Sequence, residues 1–319
     1  MRIILTGGAG FIGSCFLDYL NKKGIKDIVL VDRLNQEKRE NIKNKKFKEY
    51  YDKDEFLYRI EKKFDKSFDF LIHLGACTNT RENNLEYIIR NNFIYSKKLA
   101  LFCLENDIKL IYASSAATYG KEEKNFLDDE NNIENLVPLN LYGLSKNLFD
   151  MWVVLNKLHN NFVGLKFFNV YGPNERHKGQ MQSVISKGYE QIKKEGKIRL
   201  FKSYSKDYKD GEQKRDFIYV MDVCEVIWFF IENSEKKGIY NVGTGKARSF
   251  NDVAKILFQY LNKKENIEYV DMPEDIRDKY QYFTQANIDK LRKAGYKNDF
   301  LELEDGIKEF ISIISLTES

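Results

Sequence analysis

Residues 4–14, ILTGGAGFIGS, constrain the fold more than any other part of the chain. Gly7, Gly10 and Gly13 follow a short apolar run and stand at the mouth of a helical pattern. Gly7 permits a tight turn, Gly10 lets the backbone approach a pyrophosphate, and Gly13 allows helix and strand to pack closely. The N–H groups at the helix start favour an anion. A glycine triad alone is a weak signal, but here Asp32 closes the next apolar run, 25 residues after Gly7, near the spacing of an acid that binds a ribose. Together these open a dinucleotide-binding unit. Arg33 comes next, and a guanidinium there can grip a ribose 2′-phosphate in bidentate fashion, which favours NADP, whereas Asp32 favours NAD.

The rest of the first half repeats the same alternation. Residues 2–5, 27–32, 68–74 and 109–114 read as strands apolar on both faces, and 162–168 continues the sheet. Residues 14–23, 85–106 and 141–157 carry helical periodicity. Strand and helix in turn predict an α/β Rossmann fold, a doubly wound parallel sheet covered on both sides. Later, helical patterns recur at about 180–195, 249–262 and 303–314, and the apolar runs 215–220 and 238–243 are candidates to return to the main sheet. The expected division is a nucleotide-binding domain of 1–168 plus about 214–245, and a smaller discontinuous substrate domain of about 169–213 plus 246–319.

Composition narrows the function classes. The 319 residues carry a net charge of only +4, with Lys balanced by Asp and Glu along the chain, so no nucleic-acid partner is expected. Cys15, Cys77, Cys103 and Cys224 form no CxxC pair and sit in or beside apolar stretches, which suits reduced thiols in a cytoplasmic protein. His73, His159 and His177 are too scattered for a metal site, and no metal is expected. No apolar run approaches the ~20 residues that span a bilayer, so no membrane partner is expected either.

The chemistry points to residues 113–120, ASSAATYG, and 142–146, YGLSK. Tyr142 and Lys146 are four apart on a predicted helix and so share a face. A nearby ammonium and a cationic nicotinamide both favour a phenolate, which can take a proton from a substrate hydroxyl as hydride leaves the same carbon. Ser115 can orient that hydroxyl.

With the glycine loop, these motifs resemble the extended short-chain dehydrogenase/reductase family, over essentially the whole chain. NVYGP (169–173), RDFIYVMDV (215–223) and NVGTG (241–245) look like its later motifs. The resemblance implies NAD(P) in the Rossmann domain and a nucleotide-sugar in the second. Ala116 and Ala117 stand where the dehydratase branch carries an Asp-Glu pair, which speaks against elimination of water. HKG (177–179) and the run 280–296 are most similar to the branch that epimerises an ADP-heptose at its exocyclic C6. That branch implies two acid–base groups on opposite walls, Tyr142 and Lys178, with NADP bound throughout.

The resemblance carries further expectations, residue by residue. Beside Gly7, Gly10 and Gly13, cofactor contacts are expected at Phe11, Ile12, Asp32, Arg33, Lys53, the stretch Leu74, Gly75, Ala76, Cys77 and Thr78, Asn91, Lys146, Val170 and Lys178. The loop after Asp32 is about one residue short, so Lys38 or Arg39 joins them. ADP-sugar contacts are expected at Ser115, Asn169, His177, Gln180, Lys187, the stretch Phe201, Lys202, Ser203 and Tyr204, and at Arg215 and Tyr280. Gln180 and Lys187 depart from the Ser and His expected there, and 202–214 is longer than expected. A homo-oligomer, a pentamer by resemblance, is implied. Two other readings stay open at this point: a UDP-hexose 4-epimerase, for which Lys178 is incidental, and a non-catalytic NADP-binding protein.

Overall fold

The structure is a computed structural model that describes residues 1–62, 64, 67–121, 126–277 and 279–318. Its strands are β1 (Ile3–Thr6), β2 (Ile28–Asp32), β3 (Glu49–Asp52), β4 (Phe70–His73), β5 (Lys109–Ser115), β6 (Val163–Phe167), β7 (Asn169–Tyr171), β8 (Ile198–Phe201), β9 (Lys214–Tyr219), β10 (Gly238–Val242), β11 (Ala247–Ser249) and β12 (Ile267–Val270). Seven form one sheet in the order β10-β6-β5-β4-β1-β2-β3, with every pairing parallel. β1, β2, β4, β6 and β10 are buried at every position, because helices cover both faces and leave no polar side to the sheet.

The expected doubly wound sheet is therefore present, with one change in membership. Of the two late apolar runs, Gly238–Val242 returns to the main sheet as β10, beside β6. Lys214–Tyr219 does not. As β9 it pairs parallel with β7 and antiparallel with β11 in a separate three-stranded sheet. A buried strand looks alike in either sheet; only its distant partners differ. β12 and β8 pair parallel as a third, two-stranded sheet.

The predicted helices occur at Phe11–Lys22, Leu141–Leu155, Val184–Glu195, Phe250–Tyr260 and Leu303–Glu318. The pattern at 85–106 is not one α-helix: a π-helical turn, Ile89–Ile94, separates Leu85–Ile88 from Tyr95–Glu105 and contains Asn91 and Asn92. Such turns gather at functional sites. Edge strand β3 and helices Lys53–Lys62 and Val220–Glu232 are additions that the sequence reading did not include.

What positions the site is the reversal of strand order. From β1 the chain runs outward to β2 and β3, then crosses to β4 on β1's other side. Ligands of such sheets bind in the crevice at this switch, outside the carboxyl ends of the strands. Gly7 leaves β1 there with φ +70°, and Gly75 leaves β4 beside it. A Cβ on Gly7 would lie 2.5 Å from the Gly75 nitrogen, and one on Gly13 would lie 2.1 Å from the Gly7 carbonyl oxygen. No side chain fits at either position.

His73, the last residue of β4, is a structural histidine. It is buried between the Thr6 hydroxyl at 2.6 Å and the Ser96 hydroxyl at 2.8 Å. Burial, with Lys146 nearby, lowers it to about 3 from an ordinary 6.5. The folded value lies below the unfolded one, so the neutral ring's stabilising contribution is full above pH 6.5 and is lost as pH falls toward 3. Between those limits the unfolded chain holds one more proton at this site, equivalent to about 1.4 kcal/mol per pH unit. Urea unfolding at pH 6.5, 5.5 and 4.5 should show the wild type losing stability more steeply than His73→Gln by about that slope; parallel slopes would contradict it.

Candidate functional site

Two cavities open at the switch point. The first, about 470 Å³, is lined by the turn after β1 and the start of helix Phe11–Lys22. Gly10 is the N-cap of that helix and offers no side chain, so the first turn's N–H groups are left for an anion. Gly7, Gly10, Phe11, Ile12 and Gly13 all line the cavity. So do Leu74, Gly75, Ala76, Cys77 and Thr78 from the loop after β4.

At the far end stand Asp32, Arg33 and Lys38. Asp32 is buried and accepts hydrogen bonds from the Ala9 and Arg33 backbone N–H groups at 2.9 and 2.7 Å and from Lys38 Nζ at 2.6 Å. Arg33 reaches outward to the exposed Asp54 at 2.7 Å. Of the pair Lys38 and Arg39, Lys38 lines the cavity; Arg39 does not and is exposed, because the short helix Gln36–Asn41 turns it outward. Lys53 and Asn91 also line it and are hydrogen-bonded to each other. Burial lowers the Lys53 ammonium from its ordinary value.

His177 and Lys178 close the near side of this cavity. Lys178 lies 5.1 Å over the Phe11 ring, with its Nζ 3.4 Å from Glu175 Oε2 and its side chain one-fifth exposed. Glu175 is fully buried and also accepts from the backbone N–H of Ser183 at 2.7 Å, the Ser183 hydroxyl at 2.7 Å and the Gly172 N–H at 3.2 Å. One carboxylate thus ties both ends of the Gly-Pro loop and holds Lys178. Nothing in the spacing of NVYGPNERHK singled out Glu175. His177 lies against Asn41 at 3.2 Å; burial, with Lys38 and Lys178 adding to it, lowers its ring to about 4.

The second cavity, about 360 Å³, continues along the same two loops. Thr80 and Arg81 extend the first, Gln180 and Met181 the second, and the Thr80 hydroxyl meets the Met181 sulfur at 3.6 Å. Lys187, Phe201 and Tyr280 line it as expected, with Asn140, Asp275 and Lys279 as additions adjacent to predicted residues or brought in by the fold. Burial lowers Lys187 from its ordinary value. Arg215 is not on the wall. It is buried behind Tyr280, 5.0 Å from that ring, donating to the carbonyls of Lys214 at 2.9 Å and of Gln281. Lys202, Ser203 and Tyr204 are also off the wall: Lys202 and the Tyr204 hydroxyl share Asp271, at 3.2 and 3.0 Å, and Ser203 donates to Ser205. Asn169 is exposed on β7, and neither it nor Val170 lines either cavity.

Helix Leu141–Leu155 is capped by Asn140, whose side chain accepts from Gly143 N. It brings Tyr142 to Ser115 at the end of β5 and sets Lys146 one turn on. Tyr142, Ser115 and Lys146 are not on the lining of either cavity; Cys77, which lines the first, is near enough to bear on the phenol. The electrostatics differ from the expectation that the ammonium lowers the phenol. Burial raises the Tyr142 phenol, Cys77 and Asp150 act in the same direction, and only the hydrogen bond with Ser115 opposes. Lys146 donates to the Ala113 carbonyl at 2.8 Å, and burial brings it down to about 8. Asn92, from the π-helical turn, was missed by the sequence reading. Its side chain bonds both the N–H and the carbonyl of Cys77, at 2.8 and 2.9 Å, and the Ser145 hydroxyl at 3.0 Å; Ser145 in turn donates to the Tyr142 carbonyl at 2.7 Å.

The residues fit a dinucleotide: a cradle from which side chains are excluded, an uncapped helix start, and cations at the far end. Among the described residues no His, Cys, Asp or Glu group could hold a metal ion, and no helix is long and apolar enough to cross a membrane. The sequence model of the NAD dependent epimerase/dehydratase family matches residues 3–243. The chain is 48% identical over 310 residues to an ADP-L-glycero-D-manno-heptose-6-epimerase of Nitratidesulfovibrio vulgaris, covering 97% of this chain and 96% of that one. It is 46% identical to the protein of that name from Fusobacterium nucleatum, with the same coverage. The crystal structure of the Helicobacter pylori ADP-L-glycero-D-manno-heptose-6-epimerase is similar with a TM-score of 0.82 at 30% identity, covering 98% of this chain and 96% of that one. The chain belongs to the NAD dependent epimerase/dehydratase family, and its cofactor is a nicotinamide dinucleotide.

Proposed function

We propose that this protein interconverts ADP-D-glycero-D-manno-heptose and ADP-L-glycero-D-manno-heptose at C6, with NADP as resident cofactor. The observation that carries the reading is Lys178: it lines the cofactor cavity against Phe11, with four-fifths of its side chain covered, instead of extending into solvent. A 4-epimerase that turns a flat keto sugar over needs one proton-transfer group; a reaction on an exocyclic arm needs one on each wall. Tyr142 and Lys178 come from different elements and supply the two.

The nicotinamide, when bound, supplies a reversible acceptor for the hydride that leaves C6 and returns to its other face. The protein moves the proton. For one epimer the C6 hydroxyl gives its proton to the Tyr142 oxygen as C6 becomes a carbonyl, with Ser115 orienting the oxygen. The exocyclic arm turns, and the Lys178 ammonium returns a proton to the carbonyl oxygen as the alcohol re-forms with opposite configuration. In the reverse direction the roles exchange: the Lys178 amine accepts and the Tyr142 phenol donates. Glu175 gives the ammonium its counter-charge. The second cavity, with Arg81, Lys187 and Lys279 on its wall, suits the anionic ADP end of the sugar, and Arg215 stiffens Tyr280 from behind.

NADP over NAD rests on Lys38. Alone, Asp32 repels a 2′-phosphate, but its carboxylate is neutralised by Lys38 at 2.6 Å, and Arg33 has only an exposed partner to leave.

Two measurements test these assignments. Lys178→Met and Tyr142→Phe should each retain cofactor and nucleotide-sugar binding within a few-fold while losing about 100-fold or more in turnover, followed by NMR of the product's C6 configuration. Full turnover by Lys178→Met, or conversion of a UDP-hexose in preference to the ADP-heptose, would overturn the reading. For the cofactor, Lys38→Met should weaken NADP about 10-fold or more in fluorescence titrations and leave NAD nearly unchanged. Tighter wild-type binding of NAD than of NADP would reverse the assignment.

A further inference from the structure

Behind Tyr142 and Ser115 lies an ion pair that none of the chemistry above uses. Asp150, two turns along helix Leu141–Leu155 from Tyr142, and Lys166, in the middle of β6, are 0% and 1% exposed and meet at 2.6 Å. Each has further partners, and these lie on the elements that carry the proposed proton-transfer groups. The Asp150 carboxylate accepts from the Ser114 hydroxyl at 2.6 Å and the Tyr112 hydroxyl at 3.0 Å, both on β5. Lys166 Nζ donates to the Thr118 hydroxyl at 2.8 Å, and Thr118 donates to the Ser115 carbonyl at 2.8 Å. Lys166 also faces the Tyr119 ring at 5.3 Å. Room for this arrangement is made in β6: a Cβ on Gly164 would lie 2.5 Å from the Tyr112 hydroxyl oxygen, so only glycine there lets Tyr112 reach Asp150.

Taken as a circuit, the pair joins the helix bearing Tyr142 to both sides of Ser115. One arm reaches Ser114, the residue before it, and the other reaches its own carbonyl through Thr118. A buried pair of charges is a poor source of stability compared with apolar packing, yet it fixes geometry wherever its partners are directional. The groups it joins must hold a phenol and a hydroxyl on one substrate oxygen, where a misplacement of about 1 Å can cost on the order of 100-fold in rate.

We propose that Asp150 and Lys166 are positioning residues for the reaction: their ion pair sets the placement of Tyr142 relative to Ser115 and does so without touching substrate or cofactor. The proposal rests on the reading of Tyr142 and Ser115 given above.

The test removes both charges together, because removing one leaves the other buried and uncompensated. Asp150→Asn combined with Lys166→Met keeps the side-chain volumes. The holoenzyme variant should remain folded by thermal melting, keep its KM for the nucleotide-sugar and its cofactor affinity within about 3-fold, and lose about 10- to 100-fold in kcat. A folded double variant with wild-type kcat would overturn the proposal, as would losses shared equally by kcat, KM and cofactor affinity, which mean general loosening. Should the double variant not fold, Thr118→Val decides. It is isosteric and cuts only the link from Lys166 to Ser115; several-fold lower kcat with unchanged KM supports the proposal, and unchanged kcat overturns it. Tyr142→Phe, run alongside, separates the two levels. If it is active, the assignment of Tyr142 and the proposal both fall; if it is inactive while the charge-free variant is fully active, only the proposal falls.

Discussion

The contact of two bare turns, Gly7 leaving β1 and Gly75 leaving β4, is the constraint on which the rest of the site depends. A Cβ on Gly7 would sit 2.5 Å from the Gly75 nitrogen, inside any tolerable approach. Because the two turns touch, the loops that follow diverge from a common point and become opposite walls of one crevice. A path of hydrogen bonds carries that placement to the chemistry: Cys77, two residues beyond Gly75, is held at both its N–H and its carbonyl by Asn92, Asn92 holds Ser145, and Ser145 holds the Tyr142 carbonyl. The phenol's position is therefore referenced to the turn that cradles the cofactor, through an asparagine that a π-helical turn directs inward.

The same electrostatic device occurs at both ends of the first cavity. At the far end Asp32, buried, is satisfied by two backbone N–H groups and fixes Lys38; at the near end Glu175, buried, is satisfied by two N–H groups and a hydroxyl and fixes Lys178. A carboxylate taken out of water is costly unless its oxygens are fully bonded. Backbone donors meet most of that demand in each case, and the remaining capacity holds a lysine at the cavity edge. A lysine held in this way loses less conformational freedom when a ligand arrives than one recruited from solvent.

What could be read from the sequence was local. The glycine triad, the strand–helix alternation and the four-residue spacing of Tyr142 and Lys146 are periodicities within a dozen residues, and backbone geometry alone gives them meaning. What escaped was long-range. Lys166 reads as one polar residue in an apolar strand until the fold brings Asp150 to it, and Arg215 reads as a surface cation until Tyr280 covers it. β9 has the pattern of a central strand, but its partners, 40 residues before it and 30 after, put it in another sheet. Choosing between Lys38 and Arg39 needed the orientation of a six-residue helix, which adjacent positions cannot encode. The π-helical turn left no mark, since a run of apolar and Asn residues fits an α-helix as well. The electrostatics of Tyr142 escaped for the same reason: the spacing shows that an ammonium is near but not how deeply the phenol is buried, and burial is the larger effect.

His177 illustrates how these two levels combine. By type it is the residue best suited to proton transfer near neutrality. Its setting removes that role: burial and the cations of Lys38 and Lys178 hold the ring near 4, so at neutral pH it has no proton to give, and a ring so weakly basic is a poor acceptor. What remains is geometric. The ring sits against Asn41, whose amide also donates to the carbonyls of Ala9 in the glycine turn, at 3.1 Å, and of Asn174 in the Gly-Pro loop, at 3.2 Å. His177 is thus one side of a clasp between the loop that carries Lys178 and the turn that cradles the dinucleotide. A charged imidazolium there would add a third cation beside Lys38 and Lys178, and the neutral ring lets the clasp close while leaving those two lysines as the positive groups facing the ligand.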